Sequence, residues 1–173
     1  MLSLYRFILI ILFIPCVLIF ANTLIPGYGH TLYFDGSDDK VVVPYSEELN
    51  SQQYSIMFWI KPKLDESTTN PNGTGILSLK GKYGKKRGYY FIITDDKKIR
   101  FRHGNESEWI SIKSIEEVGY NQWIHLASTF DGEKAAFYIN GELINSIQSE
   151  YSLNNQEDLI IGYINQNYDY FKG

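Results

Sequence analysis

Asn121-Gln122-Trp123-Ile124-His125-Leu126-Ala127-Ser128-Thr129-Phe130-Asp131-Gly132, followed closely by Phe137-Tyr138-Ile139-Asn140-Gly141, decides the fold of this chain. The order is strand, Asp-Gly turn, strand, Asn-Gly turn, strand. Asn-Gly is the strongest short hairpin signal, because a type I′ turn needs positive φ at both central positions. Within the first strand Ile124, Leu126, Ser128 and Phe130 fall on one face and Trp123, His125, Ala127 and Thr129 on the other. Ile56, Phe58 and Ile60 alternate in the same way.

The pattern extends outward in both directions. Strands are expected over 31–34, 40–43, 54–61, 75–79, 88–94, 98–102, 108–112, 122–130, 134–139, 142–147 and 158–161, separated by Gly, Asn, Asp and Pro. Glu47-Glu48-Leu49 suits a single helical turn, and no amphipathic helix stands out between Thr31 and Gly162. Many short strands with turns at this spacing predict an all-β, antiparallel two-sheet sandwich. Trp59 and Trp123 are expected in its core with Phe58, Ile60, Phe130 and Ile139.

The N-terminus belongs to another physical class. Arg6 precedes an apolar run from Phe7 to Phe20, and Ala21 offers a small residue before polar Asn22-Thr23. This is the shape of a secretory signal peptide over 1–21, then a short linker over 22–30 and one domain over 31–173. The 15 residues from Phe7 to Ala21 are short of the roughly 20 a spanning helix needs, which leaves a short signal-anchor as the alternative. Removal of the signal takes away Cys16, the only cysteine, so disulfides and thiol chemistry go with it. The remaining 15 basic and 20 acidic side chains make the domain mildly acidic, unlike a general nucleic-acid binder. The expected location is extracellular or cell-surface.

Leu32-Tyr33-Phe34-Asp35-Gly36-Ser37-Asp38-Asp39-Lys40-Val41-Val42-Val43-Pro44 and Tyr54-Ser55-Ile56-Met57-Phe58-Trp59-Ile60-Lys61-Pro62 resemble consecutive segments of the laminin-G-like, concanavalin A-like lectin/glucanase family. Ile76 to Gly81, Lys98 to Arg102, Trp123 to Gly132, Phe137 to Gly141 and Leu159-Ile160-Ile161-Gly162 follow in the family's order. The resemblance implies a two-sheet jelly roll, often with one bound Ca²⁺, found in adhesins, surface proteins and appendages of glycan-degrading enzymes. It also implies a further strand of the type Ile-Asp-Glu-Val-Arg-Ile-Tyr after Gly173. The chain is therefore read as part of a longer protein with downstream domains, the alternative being a strand donated by another chain.

Fold does not give function, so sites need their own argument. Asp35, Asp38 and Asp39 cluster in a Gly-containing turn, where carboxylates and carbonyls suit a hard cation such as Ca²⁺. A solvated acidic turn is the plain alternative. Lys82, Tyr83, Lys85, Lys86 and Arg87 form a basic, aromatic hairpin loop that could dock an acidic glycan, or merely keep a sheet soluble. Tyr168 and Tyr170, in the last loop of a chain with 14 tyrosines, could stack on sugar rings. Asn72-Gly73-Thr74 and Asn105-Glu106-Ser107 are N-glycosylation acceptors if the chain passes through a eukaryotic secretory route. His30, His103 and His125 lack catalytic or ligand spacing. The sandwich glucanases carry Glu-x-Asp-x-x-Glu on one strand, and this sequence has none. Asp95-Asp96 and Glu116-Glu117 are adjacent and would point apart on a strand. The expectation is a secreted, non-catalytic module recognising a glycan or a surface or matrix protein, without nucleic acid. The alternatives are a structural or protein-interaction domain, or an accessory domain of a glycan-degrading enzyme.

Overall fold

The computed structural model describes residues 30–63, 70–81, 85–154 and 156–173. The expected signal peptide, nearly all of the expected linker, and Lys82 and Tyr83 lie outside these residues. Eleven strands are described, in chain order β1 (Val41–Val43), β2 (Tyr54–Ile60), β3 (Thr74–Lys80), β4 (Gly88–Ile93), β5 (Ile99–Gly104), β6 (Trp109–Lys113), β7 (Ile124–Phe130), β8 (Lys134–Ile139), β9 (Glu142–Gln148), β10 (Leu159–Ile161) and β11 (Asp169–Tyr170). A single 3₁₀ turn spans Glu47–Leu49 as expected.

Two sheets face each other. The larger has the order β1-β10-β3-β4-β5-β6, with β11 running parallel beside β3, and the smaller the order β2-β7-β8-β9. Every pairing except β11 with β3 is antiparallel. The chain is an antiparallel two-sheet β-sandwich, as its alternation requires.

The turns that announced the fold form as their chemistry dictates. Asn140 and Gly141 connect β8 to β9 with φ of 52° and 83°, the double positive φ of a type I′ turn. Asn140 also accepts the His125 N–H through its side-chain oxygen at 2.9 Å, stitching the turn to β7. At the β7–β8 turn the Asp131 carboxylate accepts the N–H groups of Glu133 at 2.9 Å and Lys134 at 2.7 Å. Those two bonds hold its carboxyl below the ordinary carboxylate range.

Between the sheets lies an aromatic core. Phe91 and Phe137 are 0% exposed and Phe101 is 1% exposed. Phe91 meets Phe58 of the opposite sheet edge-on at 5.1 Å, and Phe101 and Phe137 at 5.0 and 6.1 Å. Two fully buried polar side chains interrupt this packing: Ser128, which donates to the Ala136 carbonyl at 3.0 Å, and His103. His103 of β5 is 0% exposed, with Nδ1 3.1 Å from the Tyr54 hydroxyl and Nε2 2.7 Å from the Ser149 hydroxyl. Two hydroxyls, each able to donate or accept, satisfy a neutral imidazole completely. Phe130 and Tyr151 close around the ring. Burial pushes its pKa down to about 4.

Three expectations are corrected. Residues 31–34 form no strand; pairing there is confined to Phe34, bonded to Gly173 in both directions, and a bridge between Asp35 and Lys172. Trp59 is 36% exposed and points outward, because the alternation that buries Phe58 and Ile60 turns its neighbour to solvent. Trp123, just before β7, is half-buried and belongs to neither buried cluster. Phe58, Ile60, Phe130 and Ile139 do pack in the core.

Candidate functional site

The larger sheet buries both faces of its central strands β3 and β4. Every residue of β4 is buried, Tyr89, Phe91 and Ile93 in the inter-sheet core and Tyr90 and Ile92 on the outer face. The cover on the outer face is the segment 163–168. It can lie flat because Gly75 has no side chain: a Cβ there would stand 2.7 Å from Ile164 Cγ1. Ile164, Tyr90 and Ile92 make a small second cluster, against which Trp109 and Tyr168 pack.

The register sets out what flanks this cluster. A row runs across five strands as Ile160, Ser78, Tyr90, Arg102 and Ser111. Arg102 Nη1 donates to the Tyr90 hydroxyl at 2.8 Å, and its guanidinium carbon lies 5.9 Å from the Tyr90 ring centre. Lys80 Nζ lies 5.8 Å from the same ring centre. Trp109 meets Tyr90 edge-to-face at 4.8 Å.

A cleft opens on each side of the 163–168 segment. The first, about 620 Å³, has Ser78, Lys80 and Ile160 on its sheet side, Trp109 on one wall, and Tyr163 with Asn165-Gln166-Asn167 on another. Lys85, Lys86, Glu157 and Asp158 also line it. The second, about 600 Å³, carries Tyr120, Tyr168 and Tyr170 with Asn70, Thr94 and Asp95, and reaches Gly36 and Ser37 of the acidic turn.

The residues picked out in the sequence are thus divided. Tyr168 and Tyr170 meet the acidic turn at the second cleft, and one face of Tyr170 is taken by Tyr163, stacked at 4.2 Å. Lys85 and Lys86 line the first cleft. Lys85 and Arg87 both bond to Glu106 Oε1, the latter at 2.7 Å, and hold that carboxyl well below the usual range. Asp35, Asp38 and Asp39 present oxygens that all lie within 4.8 Å of one another and are exposed. Their donor chemistry fits a hard cation. Two of those carboxylates also order the turn, Asp39 accepting the Asp35 N–H at 3.0 Å and Asp35 the Ser37 N–H at 2.7 Å.

The profile of the concanavalin A-like lectin/glucanases superfamily, in its laminin-G form, matches residues 35–173. The chain belongs to that superfamily. Its solved relatives in shape include domain 4 of AbnA, an extracellular GH43 arabinanase from Geobacillus stearothermophilus, in complex with arabinotriose, with 22% identity and a TM-score of 0.60. That match covers 82% of this chain and 65% of the other. Mouse laminin alpha1 domains LG4-5 match at 17% identity and a TM-score of 0.58, over 82% of this chain and 38% of theirs. The carbohydrate-binding module CBM40 of a Ruminococcus gnavus IT-sialidase, bound to α2,3-sialyllactose, matches at 17% identity and 0.57, over 84% and 88%. At these identities the likeness is one of fold, and the chain spans less than two thirds of the first two relatives. No curated protein sequence matches the chain.

In this superfamily member the first cleft adds Trp109 and the 165–167 amides to Lys80, Lys85 and Lys86 of the sequence's basic cluster, over the buried Tyr90 ring. The alternation of 108–112 does place Trp109 and Ser111 together on one face. What it lacks is any sign of which segment folds back over that face.

Proposed function

We propose that this superfamily member is a secreted, non-catalytic carbohydrate-binding module whose ligand lies in the first outer-face cleft. One observation carries the reading: Trp109 and Tyr163 share a cleft of about 620 Å³ with three consecutive amide side chains and a set of lysines. Sugars need that combination, an aromatic face for the ring C–H groups and paired donors and acceptors for the hydroxyls. The glycan complexes of the arabinanase domain and the sialidase module support the class of ligand. The apolar run before Asn22 supports export.

The sequence carries no Glu-x-Asp-x-x-Glu strand motif of the sandwich glucanases, which favours a binding role over hydrolysis. Asp158, within the cleft, accepts the Tyr45 N–H at 3.0 Å.

The test is a glycan array followed by calorimetry. Trp109→Ala is expected to weaken binding of any glycan hit at least tenfold, about 1.4 kcal/mol, with Trp109→Phe intermediate. Full affinity in Trp109→Ala would remove the cleft from the account. Ca²⁺ is proposed for the Asp35, Asp38 and Asp39 turn. Asp38→Ala should then lower the melting temperature with millimolar Ca²⁺ and leave it unchanged in chelator; an equal drop in both would rule out a metal role.

A second reading, a protein-interaction domain, is favoured by one feature of the smaller sheet. Met57, Ala127, Tyr138 and Leu143 form an outward row across its four strands. Met57 is 64% and Leu143 56% exposed, and Trp59 stands beside them over His125. An array without a single glycan hit would leave this reading in place.

A further inference from the structure

The Tyr90 ring is shared by two cations, Lys80 and Arg102. Neither is in a salt bridge among the described residues, although four such pairs occur elsewhere in them. Arg102 spends its donors on the Tyr90 and Ser111 hydroxyls, which carry no compensating charge. Lys80 is half-buried at the cleft floor, and the charge that acts on it is another cation, Lys86. Asp158 lines the same cleft but is turned to the Tyr45 N–H and forms no ion pair with Lys80. Lys85 and Arg87 differ in kind, because they share the Glu106 carboxylate.

Glu157 and Asp158 both line the cleft, yet no salt bridge among the described residues joins either of them to Lys80. Two cations on one ring, the half-buried Lys80 among them, without a carboxylate partner among the described residues are an incomplete electrostatic arrangement. An anion entering the cleft completes it, and Trp109, packed on the same ring, offers an apolar face beside it. Resting on the carbohydrate-binding reading above, we propose that the cleft selects an acidic sugar, carboxylated or sulfated, whose anionic group is held by Lys80 with Arg102 reinforcing the local field. The amides of Asn165, Gln166 and Asn167 serve its hydroxyls.

The experiment is an array printed with neutral, sialylated, uronic and sulfated oligosaccharides, probed with the full-length protein and with its Lys80→Gln and Lys80→Arg variants. The strongest hit is then titrated by calorimetry at 50 and 300 mM NaCl. Acidic glycans should dominate the hits, Lys80→Gln should bind them at least tenfold more weakly, Lys80→Arg should restore most of the affinity, and added salt should weaken binding. The sulfated and uronic arms distinguish the two sources of negative charge. Neutral hits, or acidic hits that bind Lys80→Gln as tightly as the unaltered protein, would overturn this inference and leave the carbohydrate-binding reading intact. An array with no hits at all would overturn both.

Discussion

Phe91→Ala is expected to lower the unfolding free energy by about 3–5 kcal/mol, the range for deleting a fully buried aromatic ring from a packed core. Phe91 is 0% exposed and sits where the two sheets meet, touching Phe58, Phe101 and Phe137. These neighbours come from β2, β5 and β8, so the void would open between strands that cannot collapse without moving a sheet. Single domains are stable by roughly 5–15 kcal/mol, so the loss would be a large share of the whole. Urea unfolding checks it, through a lower midpoint at an unchanged slope. Met57→Ala, on the exposed outer face of the smaller sheet, is the control and should move the midpoint little. Equal effects from the two substitutions would contradict the assignment of the core.

Acidification is the second large effect, and it runs through His103. The pKa of His103 in the folded chain, about 4, lies below the ordinary histidine value of 6.5. Between those values the unfolded chain takes up a proton that the folded one refuses, so stability falls as pH falls. At 1.36 kcal/mol for each pH unit, the full window removes about 3 kcal/mol, and the slope from this group ends near pH 4. Other groups near the ring do not blur the window. Tyr54, Tyr89 and Tyr151 are pushed upward by burial and stay neutral throughout. The lowered carboxyls of Glu48, Asp96, Glu106 and Asp131 lose their contribution from their ordinary values of 4.5 and 3.8 downward, so they add to the decline only at the acid foot of the window. Urea midpoints at pH 7, 5 and 4 should trace the decline. His103→Gln should start less stable at pH 7 and lose most of that slope. An unchanged slope would place the acid sensitivity elsewhere.

The sequence carried the local rules well and the long-range ones unevenly. Asn140-Gly141 has one favourable backbone geometry, so it named its hairpin, and strict alternation in β7 named the buried face. Trp59 shows where the reasoning stopped. Its size suggested the core, yet its position beside Phe58 and Ile60 on an alternating strand demands the opposite face, and position prevailed. The segment 31–34 reads as a strand by composition, but its only described pairing is with the far end of the chain, which no local pattern reveals. His103 has no catalytic or ligand spacing in the sequence, and its hydroxyl partners are not legible there because Tyr54 and Ser149 lie 49 and 46 residues away.

The site follows the same division. The cations of the 82–87 loop stand out as a run of charge, whereas Glu106, which pairs with Lys85 and Arg87, sits in a different hairpin. The Lys80–Tyr90–Arg102 arrangement is invisible in one dimension because it is built across three strands by register. The fold-back of 163–168 depends on Gly75, an inconspicuous residue until Ile164 is seen against it.

The most direct test of the central claim uses the protein's three tryptophans, Trp59, Trp109 and Trp123. Their indole N–H signals in a ¹H–¹⁵N correlation spectrum report three different places, Trp109 at the outer-face cleft of the larger sheet and Trp59 on the outer face of the smaller one. Titration with the tightest-binding array glycan should move the Trp109 signal and leave Trp59 and Trp123 in place. A glycan that shifts Trp59 or Trp123 while Trp109 stays still would contradict the account and put the binding surface elsewhere.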